Sequence, residues 1–208
     1  MTIFRRKYKD YNEYLKHQSS KLSKALKKNK RRVIVSNRGE RSKKFQKILK
    51  GYVPYMIEGK VLCLGARNGA EVIAFRNMGF KDAIGIDLNP GKDNEYVIKG
   101  DFHNMEFEDN SFHNVFTNSL DHIFDIRKLS KEISRVMVVS GRLVLEISHF
   151  IKGKDMKYTV EDAKLYESFC IDSFEDIKEG FEEFKVIKKY KNKEENRLIV
   201  VLKNKKEV

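Results

Sequence analysis

The stretch from residue 60 to residue 87 constrains the fold of this chain most strongly. It opens with a short, continuous apolar run at residues 61–64, which is typical of a strand buried on both faces of a sheet. Apolar residues then recur at helical spacing between residues 69 and 78, and a second apolar run ends in Asp87. Strand, helix and strand in this order predict a βαβ unit, and therefore a parallel sheet with a right-handed crossover.

The turn inside this unit has the chemistry of a nucleotide-binding turn. Gly65 and Gly69 bracket it, and glycine lets a ligand approach the backbone closely. Asp87 follows Gly65 by 22 residues, at the end of the second strand, where an acid can accept both ribose hydroxyls of an adenosine. Arg67 occupies the place of the middle glycine of a G-x-G-x-x-G turn. An ordinary tight turn without a ligand therefore remains the alternative at this point.

The rest of the chain continues the alternation of strand and helix patterns. Strands are predicted at residues 95–99, 111–117, 143–147, 181–190 and 197–202, helices at 126–138 and 161–170, and turns at Gly141 and at 191–196. This order predicts an α/β fold: a Rossmann-like, doubly wound sheet that is mostly parallel, with an antiparallel C-terminal strand and helices on both faces.

The positive charge of the chain is concentrated in its first quarter. The net charge is +13, yet residues 1–50 hold 18 Lys and Arg against three Asp and Glu, which leaves a balance of −2 for residues 51–208. We expect residues 1–57 to form a basic, helical N-terminal extension that packs on a core domain of residues 58–208. Basic residues at positions 21–50 predict a solvated face, with contact to an anionic substrate or RNA as the alternative.

Two helices are predicted in this extension, at residues 8–28 and 42–57, with a short strand at 33–35 between them. An apolar stripe on the first helix, broken by Gln18, comprises Tyr8, Tyr11, Leu15, Leu22 and Ala25. The stripe predicts a helix that caps the core. A dimer helix and a basic amphipathic helix on an anionic membrane surface stay open as alternatives.

Several classes of protein are disfavoured by composition. The N-terminus lacks the apolar core of a signal peptide, and no apolar run reaches membrane-spanning length. Cys63 and Cys170 are the only cysteines, so we expect no disulfide framework and a cytoplasmic location. The five histidines lack paired ligand spacing, and no metal site is predicted.

Several segments, taken in order, resemble the motifs of one family, the class I S-adenosylmethionine-dependent methyltransferases. The segments are residues 61–69 for the V-L-D-L-G-x-G-x-G strand and turn, 85–89 for the second motif, 100–102 for the third, 107–112 for the approach to the fourth strand and 138–145 for the turn into the fifth. The resemblance covers about residues 60–147. Cys63 stands where the family commonly has an acid, and Arg67 stands where it has the middle glycine.

This resemblance implies S-adenosylmethionine as cofactor and a set of residues that bind it. The implied cofactor-binding residues are Gly65, Ala66, Arg67, Gly69, Asp87, Leu88, Asp101, Phe102 and Asn118. Asp87 would hold the ribose hydroxyls, Leu88 would pack on the adenine, and Asp101 would accept from the adenine amino group. Asp121 and His122 are predicted to be catalytic, because the fourth strand ends nearest the sulfonium in this fold.

The predicted reaction is methyl transfer to an O, N or C atom of a small-molecule, lipid or sugar-containing acceptor. The residues after the fourth strand, 118–121, lack the N/D-P-P-Y/F step of base-N6 methylating enzymes, and no Pro-Cys pair of base-carbon methylating enzymes occurs. Two alternatives remain. One is an RNA or protein methyltransferase that docks through the basic N-terminal segment, and the other is a degenerate, non-catalytic binding module.

Overall fold

A computed structural model describes residues 4–28, 38–91, 93–148, 168–170, 173–192 and 197–207. The helices in these ranges are α1 (Tyr11–Lys28), α2 (Arg38–Leu49), α3 (Ala70–Asn77) and α4 (Ile126–Val136). The strands are β1 (Phe4–Arg5), β2 (Val61–Leu64), β3 (Ala83–Asp87), β4 (Val97–Lys99), β5 (Phe112–Thr117), β6 (Met137–Ser148), β7 (Phe169–Cys170), β8 (Phe184–Asn192) and β9 (Arg197–Asn204).

The main sheet has the strand order β4-β3-β2-β5-β6-β9-β8 in the part of the chain that the structure describes. Only β9 runs antiparallel to its neighbours β6 and β8, and the other pairings are parallel. The predicted Rossmann-like, mostly parallel sheet with an antiparallel C-terminal strand is therefore confirmed. The strand order reverses between β2 and β5, and a crevice forms at such a switch point beyond the carboxyl ends of the strands.

Helices cover both faces of this sheet, and the side chains of β2 show how the two cores are divided. Val61 and Cys63 belong to a core that includes residues of α2 and α3, while Leu62 and Leu64 belong to the core on the α4 side. All four side chains are buried, as the continuous apolar run predicted.

Helix α4 is held at its start by a side-chain cap. The carboxylate of Asp125 accepts hydrogen bonds from the backbone N–H groups of Arg127 at 2.9 Å and Lys128 at 3.0 Å. We expect Asp125→Ala to lower the free energy of unfolding by about 1 kcal/mol, because both amides lose their acceptor. Urea unfolding measures the change. Asp125→Asn should stay close to wild type, since an asparagine oxygen caps equally well, and a loss in the Asn variant equal to that in the Ala variant would contradict this account.

The two N-terminal helices have bounds that differ from the predicted ones. Helix α2 spans Arg38–Leu49 rather than residues 42–57, and a short 3₁₀ helix (Val53–Tyr55) follows it. Pro54 lies in that short helix, and its ring and missing N–H do not continue an α-helix. Helix α1 begins at Tyr11, three residues later than predicted.

The predicted turn at Gly141 is wrong, because β6 runs unbroken from Met137 to Ser148. The pairing with β5 shifts register between Phe112 and Asn114, and Ser140 has a φ of 59°. Phe112 pairs with Met137 and Asn114 with Arg142, so β6 advances five residues where β5 advances two. The chain thus accommodates the additional residues as an irregularity inside the strand rather than as a turn between two elements.

The structure describes only part of the region after β6, so only some of the predictions there can be compared with it. Residues Phe169–Cys170 form β7, which pairs antiparallel with β1. Ser168 lies in a bend, so the predicted helix at 161–170 is wrong at its last three residues. Phe181 lies in a 3₁₀ helix, and β8 begins at Phe184. The remaining predictions for residues 33–35, 161–167 and 193–196 lie outside the described residues.

Helix α1 packs on the core near the carboxyl ends of the strands. The side chain of Tyr14 is only 1% exposed, and its ring centroid lies 5.3 Å from that of Phe124 and 5.5 Å from that of His103. No helix in the described ranges is long and apolar enough to cross a membrane. The division of the chain at residue 57 stays a prediction.

Candidate active site

A cleft with a cavity volume of about 280 Å³ lies beyond the carboxyl ends of β2, β3 and β5. Most of the residues predicted from the sequence line it together. These are Gly65, Ala66, Arg67, Asp87, Leu88, Phe102 and Asn118 from the cofactor set, with Asp121 and His122 from the catalytic pair. Gly69 and Asp101 do not line it.

The turn after β2 has a backbone that favours glycine. Gly65 has a φ of 71°, and a side chain there would also collide with the side chain of Ser119. Gly69 has a φ of 79° directly before α3, and a Cβ atom would lie 2.6 Å from the Cβ of Tyr96. Gly69 therefore shapes the turn, although it does not line the cleft.

Arg67 adopts a glycine-like conformation, with a φ of 38°. Two hydrogen bonds hold it there: its N–H donates to Asp87 Oδ2 at 3.0 Å, and its carbonyl accepts from Asn94 Nδ2 at 2.9 Å. These contacts explain how the turn keeps its shape without the middle glycine of the resembled motif.

Asp87 connects the two loops that form the floor of the cleft. Its Oδ2 accepts from the backbone of Arg67, and its Oδ1 accepts from the N–H of Asn89 at 2.7 Å. The carboxylate is only partly buried and faces the cleft. Each carboxylate oxygen has a further lone pair, so Asp87 can accept hydrogen bonds from the hydroxyl groups of a ligand while it holds both loops.

The carboxylate of Asp101 accepts hydrogen bonds from other residues of the protein. The hydroxyl of Tyr11 donates a short hydrogen bond to Oδ2, and the N–H of His103 donates to Oδ1 at 2.8 Å. Burial alone would raise the pKa of Asp101, but the hydrogen bonds from His103 and Tyr11 outweigh it, so the pKa is lowered. The next residue, Phe102, presents its side chain to the cleft instead.

His103 holds the carboxylate of Asp101 in place through its buried ring. Its ring is fully buried, and Nε2 accepts from the N–H of Phe124 at 3.1 Å. Because Nε2 is an acceptor, the ring proton is on Nδ1, which lies 3.3 Å from Asp101 Oδ1 and donates to it. The neutral imidazole thereby connects the loop after β4 to the start of α4.

Helix α1 forms one wall of the cleft through Tyr14 and Gln18. Gln18 Nε2 donates to Ser168 Oγ at 2.9 Å. Sequence reasoning missed both residues, because it placed the buried face on the Tyr8–Tyr11–Leu15 stripe and treated Gln18 as a break in it. The spacing of Tyr11, Tyr14 and Gln18, three and seven residues, was the available signal.

Asp121 and His122 lie on the 3₁₀ helix Leu120–His122 that follows β5. Asp121 Oδ1 and His122 Nδ1 are 3.8 Å apart, and both side chains are partly exposed in the cleft. An imidazole beside a carboxylate is an arrangement that proteins use for general acid–base catalysis. No group of His, Cys, Asp and Glu within the described ranges is arranged to hold a metal ion.

Three charged residues that the sequence did not single out also line the cleft: Arg41, Glu71 and Arg197. Arg197 Nη1 lies 2.6 Å from Oε1 of the fully buried Glu146, and Tyr52 donates its hydroxyl to Glu146 Oε2 at 3.2 Å. A single acid within the apolar run of β6 was the sequence signal for this ion pair, because a buried carboxylate needs a partner.

Residues 62–145 match the sequence model of a family described as methyltransferase domain. No curated protein has a sequence that matches this chain. The matched segment covers the whole cleft floor, from β2 to β6.

Solved structures with the same fold include three informative examples. A chain from the complex of the Haloferax volcanii Trm112 methyltransferase activator with a methyltransferase has a TM-score of 0.65 at 14% identity, over 92% of this chain and 99% of that chain. A Thermotoga maritima S-adenosylmethionine-dependent methyltransferase, described as a possible histamine N-methyltransferase, has 0.62 at 18%, over 91% and 100%. Geranyl diphosphate C-methyltransferase of Streptomyces coelicolor A3(2) has 0.61 at 11%, over 76% of each chain.

The sequence match and the sheet topology agree on the class. The chain contains a methyltransferase domain of the class I, S-adenosylmethionine-dependent type, and the resemblance seen in its motifs is confirmed.

Proposed function

We propose that this chain transfers a methyl group from S-adenosylmethionine to an O, N or C atom of a small-molecule, lipid or sugar-containing acceptor. The observation that carries the choice of acceptor is the position of α1. Tyr14 and Gln18 line the same cleft as Asn118 and Asp121, so helix α1 contributes a wall to the cleft that contains the predicted catalytic pair. A cleft with such a wall favours a small acceptor over a bulky one.

The residues of the cleft suit the parts of this cofactor. Asp87 offers carboxylate oxygens to ribose hydroxyls, Leu88 and Phe102 offer apolar surface to the adenine ring, and Gly65 allows close approach to the backbone. The cofactor supplies an electrophilic methyl group on a sulfonium. The main work of the protein is then to align the acceptor with that methyl group.

His122 and Asp121 are proposed to take the proton that an O or N acceptor gives up during transfer. His122 is partly exposed in the cleft and accepts the proton on its ring, while the carboxylate of Asp121, 3.8 Å away, stabilises the resulting charge. Asn118, at the end of β5, is proposed to lie beside the sulfonium.

A second candidate is an RNA methyltransferase, favoured by Arg41. This residue belongs to the basic segment 21–50 and lines the cleft, so phosphate contacts of the segment would continue into the site. The similar chain from the Haloferax volcanii complex is bound to the Trm112 activator, which makes a protein partner a further proposal for this chain.

Radiolabelled methyl transfer separates these candidates. Cell extract is incubated with methyl-labelled S-adenosylmethionine and the purified chain, then divided into small-molecule, RNA and protein fractions. We expect label in the small-molecule fraction, and His122→Asn to lower the rate by about 100-fold with unchanged cofactor binding. Label in RNA that disappears steeply with added salt would overturn the choice of acceptor.

A further inference from the structure

Glu71 is a buried carboxyl group at the start of α3 whose hydrogen bonding is incomplete. Its side chain lines the cleft but is only 4% exposed. Oε1 accepts from Asn118 Nδ2 at 3.4 Å, whereas Oε2 has no hydrogen-bond partner among the described residues. Buried carboxylate oxygens are normally paired, so an unpaired one at the wall of a cleft points to a donor that arrives with a ligand.

The surroundings of Glu71 favour a positively charged ligand group. Burial raises the pKa of Glu71 to about 7, against the lowering effects of its own backbone N–H, of Arg41 and of Asn118. The negative charge of Glu146 adds to the rise. A cation bound at Oε2 would stabilise the ionised form that burial disfavours.

Glu71 also lies near Cys63, the position at which the resembled family commonly has an acid. The Cys63 thiol is fully buried; burial raises its pKa well above the usual value, and the nearby carboxyl of Glu71 raises it further. The carboxyl group of Glu71, from α3, thus lies near the position that the side chain of an acid at residue 63 would occupy.

We propose that Glu71 binds the α-ammonium group of the methionyl end of the cofactor and takes the place of the acid that this chain lacks at Cys63. The inference rests on the proposed function, and it names one interaction within it. An ammonium has three donors and no acceptor, which matches an unpaired carboxylate oxygen. Arg41 lines the same cleft, so a group that carries both an ammonium and a carboxylate meets opposite charges there.

Isothermal titration calorimetry with two ligands tests this assignment. S-adenosylhomocysteine carries the amino-acid end, and 5′-methylthioadenosine lacks it. We expect Glu71→Gln to weaken S-adenosylhomocysteine binding by about 10- to 100-fold, the usual range for loss of a hydrogen bond to a charged group, and to leave methylthioadenosine binding unchanged. Glu106→Gln, an exposed acid outside the cleft, is the matched control and should bind both ligands like wild type.

A second variant places a carboxylate at residue 63 in a chain that lacks the one at residue 71. Cys63→Asp in the Glu71→Gln background is expected to recover most of the lost S-adenosylhomocysteine affinity. Glu71→Gln with wild-type affinity for both ligands, or with an equal loss for both, would overturn the inference. Failure of the wild-type chain to bind either ligand would instead overturn the proposed function.

Proton linkage gives a readout that does not depend on affinity alone. Since an ammonium lowers the pKa of Glu71 from about 7, binding of S-adenosylhomocysteine near neutral pH should release protons, measured as a dependence of the binding heat on the ionisation enthalpy of the buffer. Its affinity should fall as the pH drops below 7, because Glu71 then becomes neutral. Arg41 on α2, Glu146 on β6, Cys63 on β2 and Asn118 after β5 surround this carboxyl, and a release that persists in Glu71→Gln would overturn the assignment.

Discussion

The Asp87→Ala variant is expected to bind S-adenosylhomocysteine at least about 100-fold more weakly than the wild-type chain. Two effects combine. The ligand loses a charged acceptor for its ribose hydroxyls, where each such hydrogen bond contributes about 1.5–3 kcal/mol. The backbone amides of Arg67 and Asn89 also lose their acceptor, so the two loops at the floor of the cleft are no longer tied to each other. Calorimetry measures the change in dissociation constant.

Two control variants separate these effects. Asp87→Asn keeps one acceptor oxygen and should fall between wild type and Asp87→Ala. Asp82→Ala removes an exposed acid just before β3, outside the cleft, and should bind like wild type. If Asp87→Ala and Asp82→Ala bind S-adenosylhomocysteine equally well, Asp87 has no role in the site.

The second large effect is expected at Arg197, on stability rather than on binding. Arg197→Met should lower the free energy of unfolding by about 3–5 kcal/mol, the usual result of removing the partner of a buried charge. Arg197 Nη1 lies 2.6 Å from Glu146 Oε1, and the side chain of Glu146 is fully buried in β6. The loss is therefore mainly that of the ion pair between Arg197 and a fully buried charge. Denaturant unfolding measures it.

A double variant and a matched control test the cause. Arg197→Met combined with Glu146→Gln should recover part of the lost stability, because the neutral amide removes the buried charge. Lys203→Met, a partly exposed cation on the same strand, should cost much less. A single and a double variant of equal stability would show that packing, rather than charge, causes the loss.

Much of the sheet could be predicted because parallel strands buried on both faces leave a plain signal. The apolar runs of β2 and β3 and the acid at Asp87 fixed the βαβ unit and its position in the fold. The irregularity in β6 could not be predicted, because a glycine next to a polar residue indicates a turn unless the pairing partner is known. The pairing of β1 with β7 joins residues 164 and 166 positions apart, and no local pattern predicts such a contact.

Gly65 and Asp87 could be placed in the candidate site from the sequence, because each lies at a recognisable position at the end of a strand. Residues that reach the site through burial and tertiary contacts could not be predicted in this way. In the sequence, Glu71 is an ordinary acid in the first turn of a helix. Its burial near Cys63 distinguishes it from an exposed acid at a helix start, and that burial is seen only in the structure. Asp101 was predicted to bind the adenine amino group. In the structure its carboxylate accepts a hydrogen bond from Tyr11 of α1, 90 residues away along the chain, which the sequence could not predict.

We propose that the cleft beyond the carboxyl ends of β2, β3 and β5 binds the nucleoside and amino-acid parts of one methyl-donor cofactor. Titration of the wild-type chain with S-adenosylhomocysteine in a calorimeter tests this claim. We predict saturable binding at a single site, with weaker binding of 5′-methylthioadenosine. Absence of heat with S-adenosylhomocysteine and with S-adenosylmethionine at millimolar concentration would contradict the claim.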